Sequence, residues 1–218
     1  MFHLIDGVFD APTVAALRAA VAELDFEDGH TTAGPLARLV KNNAQAAPSP
    51  DRDAVLKKVE RTLWAHPGFQ SVARPRAVVR LLISAYAGGQ AYGTHVDDAL
   101  MAGARTDVSF TIPLTAPDAY EGGALVVQDR VEERGFKPEP GQAIVYPSDT
   151  LHRVEPVTEG QRVAIVGWVT SWVRDPAKRD ILFDLDESIA AETARGADPA
   201  QLLRLSKTRS NLLRMWAG

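Results

Sequence analysis

Between Ala77 and Val173 the chain is written in short extended runs: Ala77 to Tyr86, Asp107 to Leu114, Ala124 to Val127, Gln142 to Tyr146, Leu151 to Val157 and Gln161 to Val173. Breaks at Gly88-Gly89, Glu121-Gly122-Gly123 and Pro140-Gly141 separate them. Short strands punctuated in this way predict an antiparallel barrel or a double-sheet jelly roll, of which the cupin-like fold is one form. The expected class is mainly β with flanking helices (α+β), built on a double-stranded β-helix.

The flanks carry a helical rhythm instead. Asp10 can cap a helix with Pro12 in its first turn and apolar residues at Val14, Leu17, Val21 and Leu24. A second helix is expected from about Asp51 to Ala65, with Val55, Leu56, Val59 and Leu63 on one side. The stretch between them, ending in Pro48-Ser49-Pro50, reads as loop and short helix. After Pro176 two helices are expected, joined near Gly196-Ala197-Asp198-Pro199, with Asp198 capping the second. This divides the chain into a helical and loop region (1–76), a β domain (77–175) and a helical tail (176–218). The tail's apolar positions continue to Leu212, Leu213 and Trp216. Such a face must pack on the barrel or on a second subunit, and the reading favours a homo-oligomer whose core would survive truncation after Pro176.

The 218 residues suffice for one well-filled domain with a small accessory unit. A net charge of -4 supplies no basic field for phosphates, which argues against nucleic acid as a partner. The absence of cysteine excludes disulfides, thiolate metal sites and cysteine nucleophiles. No run approaches the roughly 20 apolar residues of a membrane span, and the start lacks the features of a secretory signal. A cytoplasmic protein is expected.

Within the β region, His95-Val96-Asp97 and, after several strands, His152 are the residues with metal-binding chemistry. Alternate residues of an extended chain point to one side, so His95 and Asp97 can grip an ion from a single strand end while His152 reaches it from a later strand. Asp98 faces the other way. Two imidazoles and one carboxylate form the facial set of non-haem Fe(II) oxygenases and leave half the coordination sphere open. Arg162 lies past an expected reversal at Thr158-Glu159-Gly160, on a run that would pair antiparallel with the His152 strand. Its planar, bidentate donors suit the far carboxylate of a dicarboxylic co-substrate whose other end chelates the metal. Arg153 should point away from the metal, and Arg80 is an alternative carboxylate binder. A phenol at Tyr86 could donate to a bound carboxylate, whereas Tyr92 reads as an aromatic filling the barrel mouth. His3, His30 and His66 read as surface or capping residues.

Three stretches carry a resemblance: Tyr86-Ala-Gly-Gly-Gln-Ala-Tyr92-Gly-Thr-His95-Val-Asp97, Glu121-Gly-Gly-Ala-Leu, and Tyr146-Pro-Ser-Asp-Thr-Leu-His152-Arg-Val with Arg162. Together they resemble the Fe(II)/2-oxoglutarate dioxygenase core of prolyl 4-hydroxylase homologues. The flanking motifs Asp28-Gly-His-Thr-Thr-Ala-Gly34, Val40-Lys-Asn-Asn-Ala-Gln45, Leu182-Phe-Asp-Leu-Asp-Glu-Ser188 and Asn211-Leu-Leu-Arg-Met-Trp216 narrow the likeness to bacterial PKHD-type hydroxylases, over nearly the whole chain.

That resemblance implies Fe(II) held by His95, Asp97 and His152, and 2-oxoglutarate held through its far carboxylate by Arg162. It also implies O2 as co-substrate, L-ascorbate as supporting reductant, a link to bacterial iron uptake, and decarboxylation of 2-oxoglutarate to succinate coupled to hydroxylation of a C–H bond. It names no prime substrate. Prolyl hydroxylases often carry lysine where this chain has Arg162, so the co-substrate role carries over more directly than the word "prolyl". A Zn(II) hydrolase on the same triad and a non-catalytic iron or 2-oxoglutarate sensor are the rival readings, separated from it by 2-oxoglutarate binding and by turnover.

Overall fold

The computed structural model describes residues 2–32, 34–129 and 131–218. The chain begins with strand β1 (His3–Ile5) and helix α1 (Ala11–Ala22), where the Asp10 carboxylate accepts from the Thr13 amide at 2.9 Å as expected. Then come β2 (Phe26–Asp28), a 3-10 turn, α2 (Pro35–Arg38), β3 (Lys41–Asn42) and β4 (Ala44–Ala46), followed by α3 (Pro50–Ala65) and α4 (Pro67–Ala73). The strand-rich part runs through β5 (Pro75–Ala87), β6 (Ala91–His95), β7 (Leu100–Met101), β8 (Ala104–Arg105), β9 (Val108–Pro113), β10 (Tyr120–Gly122) and β11 (Leu125–Gln128). It closes with β12 (Glu133–Phe136), β13 (Ala143–Pro147), β14 (His152–Val154) and β15 (Val157–Ser171). Helices α5 (Pro176–Ala194) and α6 (Pro199–Trp216) form the tail, with Asp198 capping α6 as expected.

Two antiparallel sheets face each other. The larger has the order β1-β13-β9-β15-β5-β4-β2, with β10 joined to β15; the smaller is β12-β11-β14-β6-β3. The strand period of two sorts the larger sheet's side chains into two environments. Ile83 of β5, Val108, Phe110 and Ile112 of β9, and Ile165 and Val169 of β15 form a core with Val14 and Leu17 of α1, Val59 and Leu63 of α3, and Phe69 of α4. The alternate residues, including Ser84, Tyr86, Ser109, Thr111 and Arg162, line a cavity between the sheets. Apolar helices thus seal one face, which leaves the other free to carry polar chemistry.

The structure departs from the sequence reading in three places. Residues 26–46 supply β2 and β4 to the larger sheet and β3 to the smaller one, besides a 3-10 turn and a short helix. Strands of two or three residues carry no readable period; their form is fixed by pairing, Lys41 with Tyr92 and Gln45 with Ser84. The boundary expected at residue 76 consequently falls inside β5. Finally, β15 runs unbroken through Thr158-Glu159-Gly160, because Val157, Glu159 and Gly160 pair with β10. Gly160 serves close approach there: with φ 69°, a Cβ would press into the Ala119 carbonyl. The chain passes between sheets at Glu155-Pro156, so the Arg162 strand pairs with β5 and β9 and not with the His152 strand.

Candidate active site

His95 ends β6 and His152 begins β14, and the two strands pair with these residues in direct register. Asp97 lies two residues beyond His95. The three residues bring one ligand atom each to within 4.8 Å of one another, and among the described residues no other such group occurs. The Asp97 Oδ1 atom stands 3.9 Å from His95 Nε2 and 3.8 Å from His152 Nε2. These separations exceed a hydrogen bond, yet two atoms each about 2.1 Å from a shared ion are at most about 4.2 Å apart. The donor set and its spacing fit a divalent metal.

The surroundings hold each ligand in one orientation. The Nδ1 atoms of His95 and His152 meet the carbonyls of Gly93 and Thr150 at 2.8 and 2.9 Å, so Nδ1–H donation leaves both Nε2 lone pairs directed at Asp97. Burial, reinforced by His152, lowers His95 to a pKa of about 4, which keeps its imidazole neutral and able to ligate at pH 7. Asp97 Oδ2 accepts from Ser109 Oγ at 2.6 Å, and Ser109 in turn meets Ser148 Oγ at 2.8 Å. Tyr92 stacks on His95 with ring centroids 3.6 Å apart and 13° between planes, and the Tyr146 ring meets His152 edge-on with centroids 5.1 Å apart.

Arg162 shares the cavity with the triad, although it comes from the opposite sheet. It is 4% exposed, and among the described residues its Nη1 atom has no hydrogen-bond partner and no carboxylate lies within ion-pair distance of it. A guanidinium in this condition is costly unless an anion completes it. Tyr86, its register partner, places its ring 5.3 Å from the guanidinium, and burial raises its pKa so that the phenol stays protonated.

The remaining expected residues fall elsewhere. Arg153 turns outward and pairs with Glu133 at 2.7 and 2.9 Å. Asp98 is exposed at the cavity rim. His66 caps α4 through the Phe69 amide, whereas His30 meets Asp28 at 2.5 Å, an acidic partner at the spacing of two that the sequence reading overlooked. His3 packs against Phe183 under the tail, near Asp180. Sequence reasoning also passed over Ser109, Tyr146 and Ser148. Ser109 and Thr111 did leave a signal: polar residues at alternate positions of an otherwise apolar strand.

Residues 81–170 match the family described as the 2OG-Fe(II) oxygenase superfamily, and residues 176–218 match the PKHD-type hydroxylase C-terminal domain. A PKHD-type hydroxylase of Maricaulis maris is 49% identical over 217 residues, covering 100% of this chain and 99% of the relative. The chain belongs to the PKHD-type hydroxylases. A second, from Picosynechococcus, is 44% identical over 100% of both chains. An oxidoreductase of the 2OG-Fe(II) oxygenase family from Burkholderia pseudomallei superposes with a TM-score of 0.58 at 22% identity, over 77% of this chain and 84% of that one. Membership makes the protein a 2-oxoglutarate-dependent dioxygenase with the double-stranded β-helix fold, using Fe(II), 2-oxoglutarate and O2. Among the described residues, no helix is long and apolar enough to cross a membrane.

Proposed function

We propose that this dioxygenase hydroxylates its substrate at an iron held by His95, Asp97 and His152, with the far carboxylate of 2-oxoglutarate held by Arg162 and steadied by Tyr86. Bound Fe(II) and 2-oxoglutarate would supply the oxidising chemistry, with succinate and CO2 as the co-product pair. The chain's own residues position and exclude. Arg162 fixes the co-substrate's depth, Ser109 holds Asp97 in one rotamer, and the aromatic walls Tyr92 and Tyr146 keep bulk water from the reacting centre. L-ascorbate as supporting reductant and a role in iron uptake follow from the family likeness, a cytoplasmic setting from the sequence, and all three belong to the same proposal.

The observation that carries this reading is the unneutralised Arg162 guanidinium in the cavity of the triad. It is the counterpart a dicarboxylate needs, and a Zn(II) hydrolase requires no dicarboxylate clamp. Anaerobic titration of the Fe(II) protein with 2-oxoglutarate, followed by its visible charge-transfer band, tests it. Arg162→Ala should raise the 2-oxoglutarate requirement about 10- to 100-fold and leave iron binding intact, the loss expected for one charge-assisted contact of about 1.5–3 kcal/mol. Normal 2-oxoglutarate affinity in that variant refutes the clamp. Succinate formation with a product heavier by one oxygen atom separates an enzyme from a sensor.

A further inference from the structure

The cavity holds a second cationic group that neither the metal nor the co-substrate reading uses. Lys41 on β3 is only 4% exposed, yet it lines the cavity and places its ammonium 5.3 Å from the Tyr92 ring centroid, beside the ring that stacks on His95. Among the described residues its one hydrogen bond goes to Thr32 Oγ1 at 2.8 Å, and two of its three ammonium donors meet no acceptor there. Arg80 lines the same cavity from β5, and its guanidinium makes neither a hydrogen bond nor an ion pair among the described residues. Arg80 and Trp168 are direct partners across β5 and β15, and the Trp168 indole N–H is buried with no acceptor among the described residues. Asp98 stands on the rim with its carboxylate turned to Gly34, and pairs with neither cation.

Two cations that face one cavity and repel each other lower stability, as does an indole N–H with no acceptor. One ligand chemistry relieves all three. We propose that Lys41, Arg80 and the Trp168 N–H form the prime-substrate subsite, and that the substrate carries an anionic group, a carboxylate or a phosphate, into this corner of the cavity. The assignment rests on the dioxygenase reading above, because it gives the deep anion position to 2-oxoglutarate at Arg162 and this one to the substrate. Burial, with Arg80 adding to it, brings Lys41 down to about 8, so the ammonium is still charged at pH 7 and available to an anion.

The full-length protein loaded with Mn(II) and saturating 2-oxoglutarate provides a test without turnover. Paramagnetic broadening of the aromatic proton lines is measured for benzoate against benzamide and for phenyl phosphate against phenol. At least one anion should be broadened far more than its neutral counterpart, and the stronger of the two identifies the source of the charge. Lys41→Met with Arg80→Gln should weaken that binding by about tenfold or more, Arg80→Lys should retain most of it, and 2-oxoglutarate affinity should stay within about twofold. Equal broadening of charged and neutral probes, no broadening of either anion, or broadening indifferent to the variants overturns the subsite. So does loss of 2-oxoglutarate affinity in the double variant, since the cations would then serve the co-substrate. Arg162→Ala reports separately on the dioxygenase reading: normal 2-oxoglutarate affinity there refutes the clamp and leaves the comparison of charged and neutral probes standing on its own result.

Discussion

At the residue scale, adjacent aspartates take opposite roles because an extended chain sends them to opposite sides. Asp97 is turned inward to Ser109 and the two imidazoles, while an added Cβ on Gly34 would lie 2.7 Å from the Asp98 carboxylate at the rim. Asp97→Ala, like His95→Ala and His152→Ala, should therefore abolish Fe(II)-dependent turnover and iron retention on gel filtration, with Asp98→Ala retaining both. Ser109→Ala should lower Fe(II) affinity about 10- to 100-fold without removing any ligand, because partners of the ligands set their orientation. Lys41 yields a stability prediction with a definite sign. Its pKa in the fold is about 8 against an ordinary 10.5, so between those values the unfolded chain binds more protons and stability rises with pH. Below about pH 8 the full cost of the buried charge is present. Lys41→Met should stabilise the apo-protein at pH 7 by about 1–3 kcal/mol in urea unfolding and flatten the rise toward pH 10. A variant less stable than the parent at pH 7 contradicts this.

At the element scale, strand length decided what the sequence could disclose. β5, β9 and β15 alternate long enough for the period of two to be read, and α1, α3, α5 and α6 show their 3.6-residue rhythm with Asp10 and Asp198 as caps. The triad was legible for the same reason, as two residues on one side of one extended stretch and a third from another. β1, β3, β4 and β10, each of two or three residues, were not, since cross-strand hydrogen bonds and not local pattern make them strands. That gap hid how Lys41 and Gln45 reach the cavity, and the misplaced reversal at residues 158–160 put Arg162 beside His152 instead of across from it. The register of β15 is also where a small change should cost most. Gly167 sits between β5 and β9 with Leu81 and Phe110 packed over it, and a Cβ there would press into both side chains. Gly167→Ala is expected to destabilise by about 1–3 kcal/mol through overpacking, read as a lower urea midpoint at an unchanged slope.

At the scale of the whole molecule, the tail packs on the barrel, one of the two placements its apolar face allowed, and is tied into it. Leu182 of α5 is fully buried, and Arg179 donates to the carbonyls of Val173, Arg174 and Asp107. Asp186 receives Ser71 at 2.7 Å and Arg74 at 2.5 Å, with Arg209 of α6 closing the group. Arg74 is only 7% exposed, so removing the tail strands its charge and uncovers an apolar contact. Truncation after Pro176 should therefore give a protein that unfolds or aggregates, contrary to the expectation of an independent core; Asp186→Ala alone should cost about 3–5 kcal/mol, because it leaves that buried cation unpaired. What the body does not cover is the outer apolar face: Ile181 is 50%, Leu203 71% and Met215 73% exposed. Self-association through that face is consistent with the tail's sequence and with α5 being already occupied on its inner side. Sedimentation over micromolar concentrations should show a dimer or larger for the full chain, and Leu203→Asp with Met215→Asp should yield a folded monomer, since both side chains already face solvent. A full-length chain that sediments as a monomer throughout would leave the tail with one role, a buttress on its own barrel.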